Sequence, residues 1–192
     1  MQTFLVSAGT VALAEIGDKT QLLAFVLAAR YRRPWPIVAG ILVATLANHA
    51  LAGAAGAWLM SVIDPVALRW TLGLSFLAMA AWTLVPDKID DATATPGGRF
   101  GVFGATLVAF FLAEMGDKTQ IATVAMAAKF ADPVSVILGT TLGMMIANVP
   151  AVLIGDRLLQ RVPMKLVHAI GAAVFAALGL ATLLGAGARF GL

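Results

Sequence analysis

The sequence predicts an all-α membrane protein: a six-transmembrane-helix bundle built from two inverted three-helix repeats. Three observations carry that reading. The 192 residues are 60% hydrophobic and only 12% charged, with a mean hydropathy of +0.93, whereas a soluble domain carries about 25% charged residues. The chain divides into six apolar runs, each long enough to cross a hydrocarbon core, which takes about 20 residues of helix. And one polar string occurs twice, EIGDKTQ at 15–21 and EMGDKTQ at 114–120, near the middle of a long apolar run each time.

The six spans are expected at about residues 3–29, 35–62, 66–85, 100–128, 134–159 and 164–185. Only helices or closed barrels satisfy the backbone in lipid, and these runs are too long and unalternating for barrel strands. The N-terminus has no basic n-region and its apolar run continues through Glu15, so it reads as the start of the first span rather than a signal peptide. Trp35, Trp58, Trp70 and Trp82 lie near the ends of the second and third spans, where interfacial anchors belong. The one polar linker holds Asp87, Lys88, Asp90 and Asp91 and ends in Pro96, Gly97 and Gly98. It separates a first repeat, residues 1–86, from a second, residues 100–192, with 87–99 between them.

The halves match in register. The acidic string recurs at an offset of 114 − 15 = 99. At that offset Arg30 meets Lys129, Pro34 meets Pro133 and Gly40 meets Gly139; with one residue of slip Asn48 meets Asn148. Pro65 and Gly73 meet Pro163 and Gly171 at an offset of 98. A three-span unit is odd, so its second copy enters the membrane upside down. Inverted repeats place a transport site at the midplane between them.

Loop cations set the orientation. One side carries Arg30, Arg32, Arg33, Lys88, Arg99, Arg157, Arg161 and Lys165, and the other Arg69, Lys129 and Arg189. The positive-inside rule puts the first side, with the linker, in the cytoplasm and both termini outside. The net charge of +3 gathers on no single face, so no nucleic-acid partner is expected. With no cysteine, thiolate metal sites and disulfides are excluded.

Charge at mid-span marks an ion or substrate pathway. On one continuous helix Glu15 and Asp18 share a face, as do Glu114 and Asp117, and Lys19 and Lys118 each follow their glutamate by four residues, the favoured order for an ion pair. Gly17 and Gly116 inside the strings allow a close approach, and a local break there would free backbone carbonyls. Glu15, Asp18, Glu114 and Asp117 supply four negative charges and the two lysines offset two. The remaining −2 suits one divalent cation. Carboxylate oxygens favour calcium, magnesium or manganese over copper or zinc. Thr20, Thr119, Gln21, Gln120, Asn48 and Asn148 can add neutral oxygens. An empty acidic cluster in low dielectric takes up protons, so a site of this kind exchanges a cation for protons. No cofactor is expected; metal and protons are cargo, and the bilayer is the other partner.

Blander readings exist for the same residues. The Glu–Lys spacings fit structural ion pairs within each string, although each string has a carboxylate beyond the pair. Gln21, Gln120, Asn48 and Asn148 also suit hydrogen bonding between helices. His49 has no counterpart in the second half and reads as a pore-lining or interface residue. Gly139 and Gly143 suit close helix packing.

Paired Glu-x-Gly-Asp-Lys/Arg-Ser/Thr strings on the first and fourth of six spans resemble the second calcium:cation antiporter family, which includes bacterial manganese exporters and Golgi relatives. EIGDKT and EMGDKT both match that pattern, and the resemblance covers essentially the whole chain. It implies export of manganese, or of calcium, in exchange for protons, with Glu15, Asp18, Glu114 and Asp117 as the core site, in a bacterial inner membrane. Six helices make a thin shell, which a homodimer would thicken. The competing readings are a passive divalent cation channel and a structural membrane assembly factor. An intramembrane protease is disfavoured, because the strings lack a Gly-x-Gly-Asp setting and the chain has no HExxH.

Overall fold

A computed structural model describes residues 1–85, 101–154 and 163–185. Every regular element among them is an α-helix: α1 Gln2–Glu15, α2 Lys19–Tyr31, α3 Pro34–Val62, α4 Pro65–Thr83, α5 Gly101–Glu114, α6 Lys118–Phe130, α7 Pro133–Ile154 and α8 Met164–Leu183. The linker 87–99 lies outside the described residues, as do Arg157, Arg161 and Arg189 and the last residues expected for the fifth span.

Four helices, α3, α4, α7 and α8, are long and apolar enough to cross a membrane. The first and fourth expected spans are not continuous helices. Each is broken at its acidic string, into α1 and α2 and into α5 and α6. The break has a local cause that repeats. The first helix stops at the glutamate, the glycine takes a left-handed conformation (φ 86° at Gly17, 75° at Gly116), and the aspartate is extended and begins the next helix (φ −79°, ψ 169° at Asp18; φ −77°, ψ 163° at Asp117). Glycine adopts that conformation without a Cβ penalty. A Glu–Lys pair at i, i+4 needs one unbroken helix, so the expected pairing within each string is lost.

The other boundaries also recur. Arg32 and Ala131, 99 residues apart, close α2 and α6 in left-handed conformations, φ 51° and 52°. Proline opens α3, α4 and α7, where its missing N–H is no loss. Asp64 caps α4 by accepting from the Val66 and Ala67 amides, both at 3.0 Å, and Asp132 caps α7 by accepting from the Ser135 amide at 3.2 Å.

The helices pack across the halves. α1 lies along α7, and α5 along α3. Small residues permit both contacts. A Cβ on Gly139 would sit 3.0 Å from Ser7 Cβ, and one on Gly143 2.9 Å from the Ala12 amide. A Cβ on Gly40, the counterpart of Gly139, would lie 2.8 Å from Thr106 Cβ. Contacts advance in the same direction along α1 and α7, from Gly139 at Phe4 and Ser7 to Gly143 at Ala8 and Ala12. The same holds for α3 and α5, from Gly40 at Phe103 to Asn48 at Phe111. α3 and α7 run in opposite directions, since Gly53 meets Ile137 while His49 meets Thr141. Two cores result. One joins Val11 of α1 to Met126 and Val136 of α6 and α7, with Phe76 and Phe175 from α4 and α8. The other joins Phe110 of α5 to Leu27 and Ile37 of α2 and α3. Val11 and Phe110, Leu27 and Met126, and Ile37 and Val136 are counterparts at the offset of 99, and each core draws helices from both halves. All four tryptophans are exposed on the outer surface.

Candidate functional site

The two breaks meet inside the bundle. Glu15, Asp18, Glu114 and Asp117 are all at most 2% exposed. One carboxylate oxygen each from Glu15, Glu114 and Asp117 lies within 4.8 Å of the others, a spacing that lets three hard donors share one cation. Asp18 joins this group through a lysine of the opposite half.

The lysines pair crosswise. Lys118 Nζ donates to Asp18 Oδ1 at 2.6 Å, with both side chains buried. Lys19 Nζ lies 3.0 Å from Asp117 Oδ1, and its side chain is 30% exposed. Each lysine thus neutralises the aspartate of the other string. The two glutamates lie beside these pairs, so four buried carboxylates share two ammonium groups. Thr119 Oγ1 and Thr20 Oγ1 both donate to Glu15, so these hydroxyls act on the carboxylate rather than being held out as bare oxygens. Glu114 has no hydrogen-bond partner on either oxygen among the described residues, and neither has Asp117 Oδ2. The two negative charges left over in a low-dielectric interior need a divalent cation or two protons.

The amides of the strings have structural work. Gln21 Oε1 accepts from the Gly17 amide and Gln120 Oε1 from the Gly116 amide, each at 2.8 Å. These bonds brace the left-handed turns. At its other end Gln21 Nε2 donates to Ala147 O at 2.8 Å, while Gln120 Nε2 donates to Asn48 Oδ1 at 3.3 Å. Asn48 Nδ2 donates to Phe111 O at 3.0 Å. Asn148 Nδ2 donates to Met144 O at 3.0 Å, and its Oδ1 has no partner among the described residues. His49 is fully buried beside Thr141 Oγ1, 3.4 Å from Nδ1, and is not one of the clustered carboxylate donors. Sequence reasoning passed over His168, whose Nε2 donates to Ile16 O at 3.1 Å. Its signal was present, since it is one of only two histidines in the chain and sits in a largely apolar helix.

Comparison with known proteins gives concordant results. The profile of a family described as "Divalent cation/proton antiporter GDT1" matches residues 3–91 and 102–189. A Vibrio cholerae protein described as "Putative manganese exporter" is 51% identical over 183 residues, covering 95% of this chain and 90% of its own. A GDT1-like protein of Synechocystis sp. is 31% identical, covering 86% of this chain and 88% of its own. GDT1-like protein 5 of Arabidopsis thaliana is 26% identical, covering 96% of each chain. No solved structure matches the chain.

Proposed function

The chain belongs to the GDT1 family of divalent cation/proton antiporters, and from that premise we propose that it exports manganese in exchange for protons, calcium being the other cation its oxygen donors suit. It is an integral membrane protein of a cation transporter family. The observation that carries the finer reading is the charge arrangement at the two breaks. Crosswise lysines pair with both aspartates, and the glutamates of the two halves lie beside each other, leaving a surplus of two negative charges. One divalent cation balances Glu15 and Glu114 together. When it leaves, one proton on each glutamate restores the balance. Exchange of one cation for two protons then moves no net charge.

In this reading Glu15, Glu114 and Asp117 hold the ion, Asp18 holds Lys118 in place, and Thr20 and Thr119 orient Glu15. Each broken helix pair makes one span, giving six in two inverted repeats, 1–86 and 100–192, joined by 87–99. Support comes from the helix directions, with α1 along α7, α5 along α3, and α3 opposed to α7. The two segments matched by the family profile also begin 99 residues apart, at 3 and 102. The loop cations favour a cytoplasmic linker and external termini in a bacterial inner membrane. The choice of manganese draws on the description of the Vibrio cholerae relative and on the hard oxygen donors.

Glu15→Gln and Glu114→Gln test the shared site. Each variant is expected to fold and to lose manganese flux in proteoliposomes. Near-normal flux by either one would rule the site out.

A further inference from the structure

Sequence-equivalent residues of the two halves do not have equivalent surroundings, and the two breaks differ in this way. The first break is covered. Met164 and His168, one turn apart at the start of α8, lie against it. A Cβ on Gly17 would sit 2.8 Å from Met164 Sδ and 3.0 Å from His168 Nε2. His168 Nε2–H donates to the Ile16 carbonyl, which the end of α1 leaves outside the helix. The second break is open. A Cβ on Gly116 would meet nothing within 4 Å among the described residues, and Met115 is 55% exposed. The counterparts of Met164 and His168, at the offset of 98, are Val66 and Trp70 at the start of α4. They are 60% and 51% exposed. Chemically they match what covers the first break: an apolar side chain to lie on the glycine, and a ring N–H to donate to a carbonyl.

The hydrogen bonds beneath the breaks are unequal in the same sense. Gln120 reaches Asn48 Oδ1, whereas its counterpart Gln21 reaches Ala147 O and leaves Asn148 Oδ1 without a partner among the described residues. The buried ion pair is Lys118 with Asp18, and the partly exposed one is Lys19 with Asp117. Exchanging the roles of the halves would satisfy Asn148 and release Asn48, using residues already in position.

We propose that Met164 and His168 are positioning residues that seal the first acidic string and hold the Ile16 carbonyl away from the ion, and that Val66 and Trp70 form the matching seal over Gly116 and the Met115 carbonyl in the opposite phase of the cycle. This rests on the transport reading above. It adds which side chains open and close each side of the site. The two seals are used in turn, because closing both would trap the ion and opening both would make a leak.

The chain has no cysteine, so an introduced one is the sole thiol. Single Ile16→Cys and Met115→Cys variants are labelled in sealed vesicles with a membrane-impermeant maleimide added to either side. Position 115 is expected to label from one side only, and position 16 more slowly and from the opposite side. Adding His168→Ala is expected to speed labelling at position 16 about fivefold, the factor that one net hydrogen bond of about 1 kcal/mol makes in an equilibrium. His168→Gln, which keeps a donor, restores the protection. A Trp70→Cys/Met115→Cys pair is expected to form a disulfide under mild oxidation, blocking flux until it is reduced. The proposal is overturned if position 16 labels as fast as position 115, if His168→Ala changes nothing, if position 115 is labelled from neither side because it faces lipid, or if the 70–115 disulfide does not form. Labelling and disulfide formation need neither metal nor flux. A protein that shows both but moves no manganese would sink the transport reading and leave the paired seals standing.

Discussion

Lys118 is the side chain whose removal the structure predicts most sharply. Its ammonium lies 2.6 Å from Asp18 Oδ1, with side-chain exposures of 4% and 0%. Replacing it by methionine keeps most of the volume and removes the charge, so Asp18 stays buried without its cation. Breaking one side of a buried pair costs about 3–5 kcal/mol. For a chain of this size each kcal/mol moves the melting temperature by about 2–4 °C, so Lys118→Met should melt on the order of 10 °C lower. Adding Asp18→Asn removes the orphaned charge, and the double variant should regain most of that loss, because a buried ion pair replaced on both sides is often neutral. The assay is thermal unfolding in detergent with a chelator present, so that no metal contributes. A Lys118→Met protein that melts like the parent, or a double variant no more stable than the single, would refute the crosswise pairing of lysines and aspartates.

Further predictions concern the packing and the site. Gly143→Leu should prevent stable folding, because even a Cβ there would lie 2.9 Å from the Ala12 amide; Gly9→Leu should be tolerated, because nothing among the described residues is within 4 Å of a Cβ at that position. Yield of monodisperse protein in detergent separates the two. Thr119→Val removes a hydroxyl that donates to Glu15, and a hydrogen bond to a charged group is worth about 1.5–3 kcal/mol. Manganese affinity at neutral pH should therefore fall roughly tenfold or more, read by isothermal titration, with little change in the melting temperature of the metal-free protein.

Much of this arrangement was legible in the residues. Hydropathy gave the all-helical membrane class, and the repeated string at an offset of 99 pointed to the four acidic residues that lie buried at the breaks. Pro34, Pro65 and Pro133, which served to match the repeats, open helices in the structure, where a missing amide is no loss. What the spacing could not give was the partner of each lysine. Glu15 and Lys19 sit four apart, and helix periodicity pairs them. That argument fails because Gly17 turns left-handed and Asp18 restarts the helix, aiming Lys19 at Asp117. The clue was Gly-Asp itself, a residue suited to positive φ followed by one suited to an N-cap. Gln21 and Gln120 looked equally suited to ligation and to hydrogen bonding between helices. Only the fold shows that their oxygens are taken by glycine amides. The asymmetry at His168 was beyond pattern reading, because the offset aligns it with Trp70, whose surroundings differ.

The central claim is that paired glutamates from opposed halves exchange one divalent cation for protons. Its most direct measurement uses proteoliposomes holding equal manganese inside and out, with a pH difference imposed across the membrane. The account predicts net movement of manganese into the acidic compartment, against its own rising gradient, as protons leave by the same site. Manganese that stays level, or that flows only down its own gradient at any pH difference, would contradict it.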